Sequence, residues 1–352
     1  MDIWAKANAA NDDCYFLSQG WVDNWIKSLP NNCEVKLVAI IENDTPSLAF
    51  FLGRPPKSPV FAPKQLFLNT TGYPLYDKLC IEYNSIILNN GRNYALHTIL
   101  DQLPYSWDEL VLPGLSASMF PATALNSDIG QYKAIINRSV PSPYVDLNKV
   151  RACNGDYFSL LSSSTRYQLR RSRRNYEKKG PVVLETATNV EEAKNIYNDL
   201  VTLHQNSWNT RGKKGAFSSK YFYEFHKGLI EDRFSSGEIQ LLRVTCDMKT
   251  IGCLYNFVFK GIVYFYQSGF QYEADNKKKP GFTTHAEAIM YNAEIGNTVY
   301  DFLGSNASYK LNLSTDSNQM IWARIQKPLL KMKIFNKIHS AARKLLSLIR
   351  KR

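Results

Sequence analysis

Between Ile239 and Leu303 the chain has little choice of topology. Ile239–Cys246 and Ile251–Phe259 are β-branched and aromatic runs joined by Asp247-Met248-Lys249-Thr250, and Lys260-Gly261 leads straight into a third run, Ile262–Phe270. Connections this short join antiparallel neighbours, and the glycine of Lys260-Gly261 accepts the positive φ that a two-residue hairpin demands. After this meander come Lys277-Lys278-Lys279-Pro280-Gly281, a helical pattern from about Phe282 to Ile295, and a strand, Val299–Leu303. Strand, loop, helix, strand implies a right-handed crossover, so the last two strands are expected side by side and parallel.

Upstream, Ser164 or Thr165 is expected to cap a helix that runs to about Lys178 and is stopped by Gly180-Pro181. Further helices are read over Val190–His204 and Tyr221–Glu231, separated by a basic loop, Arg211-Gly212-Lys213-Lys214-Gly215. The first half mixes a Trp-rich helical stretch (Trp21, Trp25), a hairpin around Glu42-Asn43-Asp44 and a Pro-rich loop, Arg54 to Pro59. It continues with strands at Ser85–Leu88 and Glu109–Leu112 flanking a helix over Arg92–Leu103. At 352 residues the prior is two domains. With Pro141-Ser142-Pro143 as punctuation, the expected division is 1–150, 151–318 and a basic tail, 319–352. The expected fold class is α/β, two mixed-sheet halves flanked by helices, with an amphipathic helix at the C-terminus.

Lys and Arg number 43 against 31 Asp and Glu, a net +12, but the excess is local. Ten cations and no carboxylate side chain lie between Arg324 and Arg352, and Arg166–Lys179 holds seven cations against Glu177 alone. The rest of the chain is close to neutral, which argues against a general nucleic-acid surface. In the tail, Leu330, Ile334, Ile338, Ala341, Leu345 and Ile349 recur at helical spacing among the cations. Packing on the protein body and docking on an anionic membrane through 325–352 are both open readings. The six cysteines form no Cys-x-x-Cys, and buried thiols in a reducing compartment are expected. No apolar stretch reaches the ~18 residues of a membrane span, and Met1–Asp13 has no secretory character. The expectation is a cytoplasmic protein, with peripheral attachment to the inner membrane face as an extension.

The loop 277–284 carries the strongest chemical signal. Pro280 suits a first helical turn, Gly281 lets a ligand approach the backbone, Thr283 and Thr284 bring hydroxyls, and free N–H groups at a helix N-terminus bind phosphate. The plainer alternative is a solvated, lysine-rich helix start. Asp301, between aromatics in Tyr300-Asp301-Phe302, is either a hydrogen-bonded structural carboxylate or a base. Tyr309-Lys310 is either a surface turn or a phenol and an ammonium brought to the same cleft. His204, at the end of its helix, is either structural or a general base, since imidazole titrates near neutrality. The arginines of 166–174 are either a solvated face or a binder of phosphate, carboxylate or nucleic acid.

The order of elements, with Tyr264-x-x-x-Ser268-Gly269-Phe270, Pro280-Gly281, Ala288-Ile289, Tyr300-Asp301-Phe302-Leu303-Gly304 and Tyr309-Lys310, resembles the GNAT acyltransferases. Those residues, together with Arg166-x-x-Leu169-Arg170-Arg171, Gly180, Trp208 and Arg211-Gly212, carry a nearer resemblance to the cellulose-biosynthesis-type (CelD-like) acetyltransferases. It spans about residues 15–315. Where the family's pyrophosphate motif has Arg or Gln and then Gly-x-Gly/Ala, this chain has Lys278, Gly281 and Thr283. The Fem-type aminoacyl transferases, which use aminoacyl-tRNA, share the two-half architecture and are the rival resemblance.

The resemblance implies transfer of an acetyl or other acyl group from acyl-CoA to an amine or hydroxyl, on a small molecule or a glycan precursor, without a metal. It puts the acyl-CoA site at Ser268, Lys278, Lys279, Gly281, Phe282, Thr283 and Thr284. Asp301 would be the base or orient the acceptor, Tyr309 would protonate the leaving thiolate, Lys310 would hold charge, and His204 would be a second candidate base. A non-catalytic module that binds anionic membranes or glycans is the alternative from outside enzymology, and tRNA is a partner in the Fem-type reading alone.

Overall fold

A computed structural model describes residues 2–9, 14–56, 62–89, 94–117, 125 and 129–349. Lys57 to Pro59 of the Pro-rich loop and Arg92 and Asn93 of the expected helix lie outside the described residues. The first elements are α1 (Asp2–Ala9), α2 (Gln19–Ser28), β1 (Glu34–Glu42), β2 (Thr45–Arg54), β3 (Gln65–Leu68), β4 (Ile87–Leu88), α3 (Leu96–Asp101) and β5 (Glu109–Ser116). Then come β6 (Lys133–Asp146), α4 (Leu147–Ala152), α5 (Ser163–Glu177), β7 (Val182–Thr186), α6 (Val190–Thr210) and α7 (Lys220–Arg233). The chain ends with β8 (Ile239–Cys246), β9 (Lys249–Phe259), β10 (Ile262–Phe270), α8 (Pro280–Glu294), β11 (Val299–Asp301), α9 (Ser308–Leu313), β12 (Asp316–Gln326) and α10 (Leu330–Ile349). The fold is mixed α/β.

Two compact units share the chain discontinuously: 1–11, 29–139 and 320–352 form one, and 12–28 with 140–319 form the other. The linear division at 150 and 318 does not anticipate this exchange of the Trp-rich helix and the C-terminal segment. In the first unit β1, β2, β3, β5 and β12 are consecutive neighbours, with β4 on β2 and a parallel step between β3 and β5. Leu48, Phe50, Leu66, Leu110 and Ile325 are buried in its core. β12 is a correction to the expected basic tail. Its residues Met320, Ile321, Ala323 and Ile325 are buried and pair with β5, so only α10 remains of the amphipathic segment.

In the second unit the order is β6-β11-β10-β9-β8-β7. The meander is antiparallel as expected, and its two hairpins turn on positive φ at Asp247 and Met248, then at Lys260 and Gly261. β10 and β11 are parallel, which is the predicted crossover. α5 is capped by Ser162, whose hydroxyl accepts the Thr165 N–H, two or three residues earlier than the sequence suggested. α8 is buried on more than one side, with Ala286, Ala288, Ile289 and Ala293 all in the core of this unit. All six cysteines are free thiols; Cys246 and Cys253 are buried on adjacent strands, whereas Cys80 is exposed. Among the described residues no helix is long and apolar enough to cross a membrane.

α6 crosses β10 at Gly269. A Cβ there would sit 2.8 Å from the Cβ of Leu203 and 3.1 Å from the N of His204, and closer still to the carbonyl oxygen of Leu200. Backbone cannot step aside as a side-chain tip can, so Gly269→Ala is expected to cost about 2–3 kcal/mol. The melting temperature should then fall by roughly 5–10 °C in calorimetry.

Candidate active site

β11 is three residues long and pairs β10 only at Ile262, Val263 and Tyr264. β10 continues to Phe270 without that neighbour, and its register against β9 shifts between Phe265 and Gln267, a β-bulge. A bulge re-aims the strand beside the gap that the short partner leaves. The gap holds a cavity of about 640 Å3, a size suited to a small-molecule ligand. It is lined by Phe265 to Ser268 and Phe270 of β10, by Tyr309 and Lys310 of α9, by Lys278 to Phe282 at one end, and by His204, Ser207, Trp208 and Arg211.

The N-terminus of α8 forms that end of the cavity. Pro280 occupies the first helical position, and the next two N–H groups, of Gly281 and Phe282, have no intrahelical acceptor. The first N–H that turns inward is that of Thr283, bonded to the Lys279 carbonyl at 3.0 Å. Lys279 lines the cavity while its own N–H donates to Ser172 Oγ at 2.8 Å. Lys278 also lines it, held 2.5 Å from Glu273, and that hydrogen bond keeps its ammonium above the ordinary lysine range. Arg211, above the rings of Trp208 and Tyr272 at 6.0 and 5.6 Å, adds a guanidinium. Four cations, with Lys310, therefore face one wall carboxylate, Glu273, so the cavity favours an anion.

Several sequence-predicted residues are placed elsewhere. Thr283 is buried with its hydroxyl bonded to Ser172 at 2.9 Å, and Thr284 is fully buried against Gly252, so neither side chain lines the cavity. Lys277 is exposed and also outside the lining. Asp301 is buried and absent from the cavity walls; its Oδ1 accepts the Leu303 N–H at 2.6 Å and the Ser142 hydroxyl at 3.3 Å. Leu303 has φ of 62°, so the carboxylate pins a left-handed turn after β11. His204 lines the cavity with both ring nitrogens engaged. Nδ1–H donates to the Ser268 carbonyl at 3.0 Å, and Nε2 accepts the Ala216 N–H at 3.3 Å. Burial, and secondarily the Arg211 charge, hold its pKa below the usual value, so it is a neutral clip between β10 and the 211–216 loop.

Tyr309 and Lys310 do reach the cavity, carried by α9 rather than by a surface turn. Burial pushes the Tyr309 phenol above its ordinary range, so it keeps its proton at neutral pH. The Lys310 ammonium donates to the Phe302 carbonyl and lies 5.5 Å from the centre of the Phe265 ring. Below them sits His285, which sequence reasoning missed. It stacks on Tyr309 at 5.9 Å, meets Phe265 edge-on at 4.5 Å and shares a 3.1 Å bond with Tyr300. Trp208, Gln267, Tyr272 and Glu273 were likewise not read as site residues, although the basic loop beginning at Arg211 was a signal for that side of the cavity.

Burial, and then the nearby Lys310 charge, push His285 down to about 3. The folded state therefore holds it neutral, whereas the unfolded chain takes up a proton near pH 6.5. Unfolding then binds protons between those values, so stability falls as pH drops from about 6.5 toward 3, by up to ~1.4 kcal/mol per pH unit. Urea titrations across that window should show the slope, and His285→Gln should make it shallower, with the buried His226 and His204 keeping their own shares.

Residues 163–311 match the acetyltransferase (GNAT) domain family. The whole chain is similar in fold to the crystal structure of FemX, at 10% identity and a TM-score of 0.62, covering 96% of this chain and 97% of that one. It is also similar to the C-terminal domain of a protein described as a lysylphosphatidylglycerol synthetase from Agrobacterium fabrum, at 10% identity, TM-score 0.55 and coverages of 93% and 92%. A third likeness is to a conserved protein of unknown function from Bacteroides thetaiotaomicron, at 10% identity, TM-score 0.52 and coverages of 93% and 96%. No curated protein matches the sequence. Residues 163–311 thus carry a GNAT-type acetyltransferase domain, and the cavity lies within it.

Proposed function

We propose that the chain is an acyl-CoA-dependent acyltransferase acting on an amine or hydroxyl. The observation that carries this reading is the opening of β10 from β11 beside the uncommitted N–H groups of Gly281 and Phe282. These groups fit a diphosphate, since a helix N-terminus with Lys278, Lys279 and Arg211 around it attracts anions. Bound acyl-CoA would supply the activated thioester. The chain's part is to hold the diphosphate at α8, to keep the reacting end between Phe265 and Tyr309 away from bulk water, and to deliver the Tyr309 proton to the sulfur as the acceptor's bond to the acyl carbon forms and the C–S bond breaks; the phenolate left behind then takes up the proton that the acceptor loses, directly or through water. Lys310 would offset negative charge near the same point. The motif resemblance favours a glycan-related acceptor and the cellulose-biosynthesis-type branch.

A second reading, aminoacyl transfer from tRNA, has one observation in its favour. A groove of about 470 Å3 along α5 is lined by Arg166, Arg170 and Arg174, spaced one helical turn apart. The two readings separate in a melting experiment. Acetyl-CoA at a hundredfold excess over Kd should add about 2.7 kcal/mol, roughly 5–10 °C. No shift with any acyl-CoA, together with salt-dependent tRNA binding lost in Arg170→Gln with Arg174→Gln, would favour the aminoacyl reading.

A further inference from the structure

α10 has two opposed faces. Met332, 2% exposed, and Asn336, bonded reciprocally to Gln326 at 2.8 and 3.3 Å, turn toward the first unit, and Lys331 is anchored to Asp108 at 2.5 Å. At about 100° per residue, Leu330, Ile334, Ile338 and Ala341 fall on the other side. They are exposed there, Leu330 at 72%, Ile334 at 51% and Ile338 at 64%. A core-packing role for this stripe is therefore excluded over the described side chains; Leu345 and Ile349 of the expected stripe lie outside them. Lys333 and Lys337 are exposed and flank the stripe at helical spacing, and no Asp or Glu occurs after Asp316.

We propose that this face of α10 docks the protein on an anionic lipid surface, with Leu330, Ile334 and Ile338 in the acyl boundary and Lys333 and Lys337 at the headgroups. The charge pattern selects the occupant. A second copy meeting the same face would bring two acid-free, lysine-flanked stripes together, whereas an anionic bilayer satisfies both the apolar stripe and its cations. The inference uses residues of the first unit alone and stands whether or not the acyl-CoA reading holds.

The test is flotation of the full-length chain with vesicles of phosphatidylcholine alone or mixed equally with phosphatidylglycerol, alongside sedimentation velocity without lipid. Binding is expected to the mixed vesicles, to weaken with added salt, and to be nearly absent on phosphatidylcholine. Lys333→Gln with Lys337→Gln should weaken it roughly thirtyfold, about fivefold per cation. Ile334→Asp with Ile338→Asp should abolish it while leaving the melting temperature unchanged, because both positions are exposed. Equal binding to both vesicles, binding to neither, or a wild-type dimer dissolved by the aspartate pair would each overturn the proposal.

Discussion

Gly281→Glu is expected to eliminate acyl-CoA binding while leaving the protein folded. The added Cβ would lie 3.3–3.5 Å from carbons of the Phe270 ring, a contact that a small ring movement relieves, and the position has no left-handed φ to lose. An acid in the first turn of a helix is itself favourable, by about 0.3–1 kcal/mol. That same carboxylate occupies the place of the diphosphate and repels it, and two charge-assisted hydrogen bonds worth about 1.5–3 kcal/mol each are lost. A Kd raised by more than about a hundredfold follows. Titration calorimetry with acetyl-CoA checks the affinity, and the unliganded melting temperature checks the fold. Gly281→Ala, with the same Cβ and no charge, should bind within a few fold of the parent.

Tyr309→Phe should lower kcat by about 10²–10⁴-fold, the usual contribution of a general acid, with the KM for acyl-CoA little changed. Phe keeps the stacking on His285 and the packing against the core cluster, so the loss would be that of a proton and not of shape. Because burial holds the phenol protonated, activity should show no basic decline attributable to Tyr309 below the ordinary phenol range. A variant with near-parental kcat would move the proton donor to another group.

The meander and crossover were legible because short loops leave few topologies. Lys260-Gly261 permits one kind of turn, and the Lys277–Gly281 loop one kind of connection. Gly281, Tyr309 and Lys310 were legible as a set because strand end, helix start and following segment converge in that topology. The rest depended on partners far away in sequence. Asp301 accepts a bond from Ser142, 159 positions earlier, which the sequence alone gives no way to read. Thr283 offers a hydroxyl that Ser172, 111 positions earlier, has already taken. His204 has the chemistry of a base until the Ser268 carbonyl and the Ala216 N–H fill both nitrogens. β12 was hidden because Asp316–Gln326 begins with a polar, exposed run and its burial comes from pairing with β5.

The most direct test of the proposed acyl-CoA site is a crystal structure of the chain with CoA bound. The diphosphate is expected within about 3 Å of the Gly281 and Phe282 N–H groups, with the thiol arm running along β10 past Phe265 toward Tyr309. Diphosphate found on the α5 arginines instead, or a cavity left empty by millimolar CoA, would contradict the account.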